Sequence, residues 1–121
     1  MARVLVADDA SFMRQMIREI VEAEGHEVVG EASDGDEAVE EFKRLHPDVV
    51  TMDIVMPRRS GIDAVKGIME LDSSAKVVMC SALGQETLVQ EALAAGALDF
   101  IVKPFKPDAV LATLAKVAEK E

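Results

Sequence analysis

The sequence predicts an α/β domain, a doubly wound parallel sheet of five strands with five helices, forming one unit over residues 1–121. Three observations lead there. Short unbroken apolar runs alternate along the whole chain with stretches whose apolar residues recur at helical spacing. The runs are apolar on both faces, as strands covered by helices on either side are. Finally, four of the runs end directly in a polar motif: Asp8-Asp9, Asp53, Ser81 and Lys103-Pro104.

The first strand is Val4-Leu5-Val6-Ala7, and Met13, Met16, Ile17 and Ile20 then mark a helix that stops at Gly25. Val28-Val29 forms a short second strand. Ala38, Val39, Phe42 and Leu45 line a second helix, closed before His46-Pro47 because the residue before proline is pushed out of helical geometry. The third strand, Val49-Val50-Thr51-Met52, ends in Asp53. Met56 to Gly61 is a loop by its proline and glycine, and Ile62, Val65, Ile68 and Met69 give the third helix. Val77 to Cys80 is the fourth strand, ending at Ser81, and Leu88, Val89, Ala92 and Leu93 share one face of a fourth helix that stops at Gly96. After Phe100-Ile101-Val102, Lys106-Pro107-Asp108 opens a fifth helix carrying Val110, Leu111, Leu114 and Val117.

Right-handed crossovers and helices on both faces require the winding to reverse once. The flavodoxin-like order 2-1-3-4-5 does so between strands 1 and 3, and ligands bind at the strand C-termini beside that reversal. Strands 1 and 3 here end in Asp8-Asp9 and Asp53.

Composition narrows the function. The chain of 121 residues buries roughly two-thirds of its unfolded surface without disulfide or metal staples. No apolar run approaches a membrane span, and no charged-then-apolar leader pattern opens the chain, so a cytoplasmic, non-membrane protein is expected. The single cysteine, Cys80, reads as a buried strand residue. With 23 acidic against 13 basic residues, the latter scattered, nucleic-acid binding is disfavoured. His26 and His46 are too isolated for a zinc site, and the absence of Trp and Tyr leaves little to line a flavin or base pocket.

Each rim motif has a plain reading when taken alone: Asp8-Asp9 as a helix cap, Asp53 as a loop start, Ser81 as a hydroxyl bonded to its own backbone, Lys103-Pro104 as a surface turn. Together they do not. Three carboxylates in one crevice repel, so one must rise in pKa unless a counter-charge is present. A divalent cation plus Lys103 balances the charge, and oxygen ligands favour Mg²⁺ or Mn²⁺. Asp53 is then a nucleophile toward phosphorus, with Lys103 and Ser81 offsetting charge on the equatorial oxygens. A cis Lys103-Pro104 bond is one way to aim the ammonium into the crevice.

From Arg3 to about Lys116 the chain resembles the receiver domain of bacterial and archaeal response regulators, most nearly the single-domain chemotaxis members. The resemblance is carried by Val6-Ala7-Asp8-Asp9-Ala10, Met52-Asp53-Ile54-Val55-Met56-Pro57, Gly61, Cys80-Ser81-Ala82 and Asp99 to Phe105. It implies phosphorylation of Asp53 by a histidine kinase. Mg²⁺ would be held by Asp9, Asp53 and the Val55 carbonyl, with Asp8 acting largely through water. Ser81, with Ala82 beside it, and Phe100 would be the switch residues. Signalling would pass through the face of helix 4, strand 5 and helix 5 to a motor switch or adaptor protein controlling a flagellum or archaellum, with a phosphatase as a further partner and the domain monomeric. Two positions depart from common members. The aromatic switch position, often Tyr in chemotaxis regulators, is Phe100, and the residues two beyond Asp53 and Ser81 are Val55 and Leu83, apolar where some members have water-orienting polar groups. Slow hydrolysis of the acyl phosphate is expected.

Three other readings compete. A receiver excised from a larger regulator, such as the chemotaxis methylesterase, would look the same. Haloacid-dehalogenase-like phosphatases share the chemistry but carry Asp-x-Asp after the first strand, where this chain has adjacent aspartates. A flavodoxin-like binding module needs amides and hydroxyls after strand 1, where this chain has acids.

Overall fold

The computed structural model describes residues 1–120, and the elements alternate as expected. They are β1 (Arg3–Ala7), α1 (Ser11–Ala23), β2 (Glu27–Ala32), α2 (Gly35–Leu45), β3 (Val49–Asp53), α3 (Gly61–Leu71), β4 (Val77–Ser81), α4 (Glu86–Ala95), β5 (Asp99–Val102) and α5 (Pro107–Ala118). All neighbouring strands pair in parallel, in the order β2-β1-β3-β4-β5. Among the described residues no helix is long and apolar enough to cross a membrane.

The strands are apolar throughout because each buries both faces. Leu5, Ala7, Val50, Met52, Val77 and Met79 pack into one core with α2, α3 and α4, while Val4, Val6, Val49, Val78 and Cys80 point into a second with α1 and α5. Phe42, Val65, Ile68, Val89 and Ala92 close the first layer, and Ile17, Val21, Val110, Leu114 and Val117 the second. This is the covering on both faces that a single reversal of winding produces.

Helix ends follow local chemistry. Asp34 caps α2 by accepting from the Glu37 N–H at 2.8 Å, while Glu37 Oε1 accepts from the Ser33 N–H at 2.9 Å. His46 closes α2 in the left-handed region, at φ 47°, ahead of Pro47. Ser60 caps α3 by accepting from Asp63 N–H, and Pro107 opens α5 at a position where a missing N–H is harmless.

One element is longer than the periodicity suggests. β2 runs from Glu27 to Ala32 rather than over Val28-Val29 alone, because as an edge strand it tolerates Gly30 and Glu31; its register against β1 shifts between Val4 and Leu5.

Candidate functional site

Parallel pairing levels the strand ends. Ala7 lies opposite Met52, Asp53 opposite Cys80 and Ser81 opposite Val102. The residues that end β3 and β4, and those that follow β1 and β5, therefore meet at one rim. Asp8, Asp9 and Asp53 each place a carboxylate oxygen within 4.8 Å of the others, with Asp8 and Asp53 buried and Asp9 exposed. Lys103 Nζ lies 3.0 Å from Asp8 Oδ2 and 3.2 Å from Asp53 Oδ1. The Lys103-Pro104 peptide is cis, and the Lys103 N–H donates to the Ser81 carbonyl at 2.7 Å, tying the β5 end to the β4 end.

Asp8 is engaged at every polar atom. Its N–H donates to Ala32 O at 3.0 Å, its carbonyl accepts from Arg14 Nη1 at 2.7 Å, its Oδ1 accepts from Ala10 N–H at 2.9 Å, and its Oδ2 takes the Lys103 ammonium. The β3–α3 turn is just as tightly defined. Gly61 N–H donates to Ile54 O at 2.8 Å, and a Cβ at Gly61 would collide with the Asp53 carbonyl oxygen.

The electrostatics match the crowding. Burial, then the Asp8 charge, push the Asp53 carboxyl up to about 6, although Lys103 pulls the other way. Burial lowers the Lys103 pKa, but its hydrogen bond to Asp8 and the charges of Asp53 and Asp8 outweigh that and hold it above the usual lysine range. Cys80, buried beside Asp53, is pushed by burial up to about 12 and is chemically inert.

The other expected residues lie around this centre. Ser81 is buried at the end of β4, and Ala82 follows it, its N–H donating to Gln85 Oε1 at 2.7 Å. Val55 lies on the loop after β3 and is 57% exposed, and Leu83 is 90% exposed, so the mouth carries two apolar side chains. Phe100 stands apart from the carboxylates, 40% exposed on β5 beside a groove lined also by Val102, Lys106, Ala109 and Thr113. Two contributors escape a periodicity reading. Gln85, which steadies the loop after Ser81, has its only signal in standing at a helix start, and Arg14 has none beyond its place on α1.

The residues fit a hard divalent cation: an all-oxygen donor set of three carboxylates, one of them raised in pKa by burial and then by its neighbour Asp8. The receiver domain of response regulators matches residues 4–115. This chain belongs to that family. The receiver domain is 56% identical over 117 residues to the chemotaxis protein CheY of Thermotoga maritima, covering 97% of this chain and 98% of that one. Its fold superposes on the CheX–CheY–BeF3–Mg²⁺ complex from Borrelia burgdorferi with a TM-score of 0.92 and 42% identity, over 98% of this chain and 90% of that one. The response regulator domain of Thermotoga maritima CheB gives a TM-score of 0.84 and 43% identity, over 95% and 92%. The receiver domain is thus a two-component signalling module of chemotaxis type.

Proposed function

We propose that this receiver domain, read as one unit over residues 1–121, is a cytoplasmic chemotaxis response regulator that accepts a phosphoryl group on Asp53 from a histidine kinase. The observation that carries the reading is the convergence of Asp8, Asp9 and Asp53 around the Lys103 ammonium. Asp9, Asp53 and the Val55 carbonyl are the proposed ligands of Mg²⁺, with Asp8 behind them. The ion, when bound, offsets the carboxylates and the charge on the transferring phosphoryl group.

The chain's own residues do the rest. With its carboxyl near 6, Asp53 is mostly ionised at neutral pH and available as a nucleophile. An Asp53 oxygen forms the new bond to phosphorus as the P–N bond to the donor imidazole breaks, and the imidazole leaves with a proton taken from water. Lys103, 3.2 Å from Asp53 Oδ1, supplies positive charge beside the phosphoryl oxygens, and the Ser81 hydroxyl is drawn toward them. That movement vacates space into which the Phe100 ring turns, altering the α4–β5–α5 face. A motor switch or adaptor protein preferring the altered face then shifts the population toward it. Val55 and Leu83 offer no polar group to an attacking water, so the acyl phosphate is long-lived unless a phosphatase acts.

A second reading, a receiver excised from a larger regulator, has support in the likeness to the CheB response regulator domain. The higher identity to CheY, 56% against 43%, favours the first. The test is the amide spectrum with Mg²⁺, before and after adding beryllofluoride. The reading expects shifts at the Asp53 rim and across α4, β5 and α5; shifts confined to the rim contradict it.

A further inference from the structure

We infer that Arg14 is a positioning residue for the acidic crevice, fixing the Asp8–Asp9 peptide plane and through it the aim of both carboxylates. Arg14 lies on α1, and its side chain is only 17% exposed. Its Nη1 donates to the Asp8 carbonyl at 2.7 Å, and its Nε donates to Glu31 Oε1, also at 2.7 Å. Glu31 stands on edge strand β2 and is held from its other side by Arg18, whose Nη2 lies 2.7 Å from Glu31 Oε2. The guanidinium is therefore clamped before it reaches Asp8.

A peptide unit is planar, so an oxygen held at Asp8 also sets the direction of the Asp9 N–H and the position of the Asp9 Cα from which its side chain departs. Asp9 is exposed, whereas Asp8 is held at every polar atom. Two peptide planes flank Asp9: the Asp9–Ala10 plane is held by the Ala10 N–H on Asp8 Oδ1, and the Asp8–Asp9 plane is held by Arg14 on the Asp8 carbonyl. α1 cannot do so by capping, because its N-cap is Ala10, with no side-chain cap.

Charge and positioning make opposite predictions for Mg²⁺, and this part rests on the Mg²⁺ reading above. Removing a positive charge near a cation site strengthens cation binding by relieving Coulomb repulsion. Removing a group that orients ligands weakens it, and about ten-fold, the low end for an outer-shell partner, is the expected size here. The variants are Arg14→Met, Arg14→Lys, which keeps the charge but not the fork of donors, and Arg18→Met, which takes a cation from the same Glu31 without touching Asp8.

Two measurements are made on each: the Mg²⁺ dissociation constant from amide shifts, and hydrogen exchange of the Ala10 amide in metal-free protein. Arg14→Met should weaken Mg²⁺ binding about ten-fold, with Arg14→Lys falling between it and the wild type. Arg18→Met should leave Mg²⁺ binding equal or tighter. Ala10 exchange should quicken in Arg14→Met and not in Arg18→Met. Mg²⁺ binding as tight as wild type in Arg14→Met, or unchanged Ala10 exchange, overturns the inference. A wild type that binds no Mg²⁺ overturns the metal reading instead, and the exchange comparison alone then decides the role of Arg14.

Discussion

Asp53 sits in a state that the metal-free protein pays for. Its carboxyl is raised from 3.8 to about 6, first by burial and then by Asp8. A carboxyl with a raised folded-state pKa contributes stability that is fully present below about 3.8 and lost as pH rises through about 6. In chelator, Asp53→Asn should therefore melt higher than the wild type at pH 7.5, and the difference should fade toward pH 4. An equal difference at both values would show that the crowding is not what Asn relieves. Val55 and Leu83 set a second expectation at this scale. Both are exposed at the mouth, so Val55→Asn combined with Leu83→Glu should shorten the acyl-phosphate lifetime by about a hundred-fold, the low end for positioned acid–base groups. Loss of the phosphorylated mass with time measures it, and unchanged decay would show that these side chains do not control water access.

The elements place these residues through their ends more than their middles. The β3–α3 turn brings Gly61 against the Asp53 carbonyl, where a Cβ has no room. Gly61→Ala should lower stability by about 1–3 kcal/mol, as overpacking does, and should slow phosphorylation because the collision falls on the acceptor's own backbone. Normal stability with normal phosphorylation would mean the turn relaxes freely. The ends were also the most legible part of the chain. Asp8-Asp9, Asp53, Ser81 and Lys103 follow unbroken apolar runs, and the change from an unbroken run to helical spacing marks where each strand stops. β2 was under-read because an edge strand needs only part of its length to be apolar, so Gly30 and Glu31 carry no strand signal. Arg14 on Asp8 O was not legible at all. A side chain reaching a main-chain carbonyl leaves no trace in residue type or spacing.

For the molecule as a whole, the doubly wound sheet does the assembling. Lys103 and Asp8 are 95 residues apart in the chain, and only the 2-1-3-4-5 order, with its level strand ends, brings their side chains to 3.0 Å. Alternation predicts a parallel sheet covered on both faces with one reversal of winding, which the flavodoxin-like order satisfies, and the two cores on either side of it are the result. The pairing itself, Lys103 bridging Asp8 and Asp53, depends on three-dimensional distances that no periodicity encodes. The same convergence makes phosphorylation of Asp53 the central expectation of the proposed function. Intact-mass analysis after incubation with acetyl phosphate tests it most directly, with and without Mg²⁺, on the wild type and on Asp53→Asn. A single added phosphoryl group on the wild type, dependent on Mg²⁺ and missing from Asp53→Asn, is the predicted result. Equal labelling of the two proteins would contradict the account.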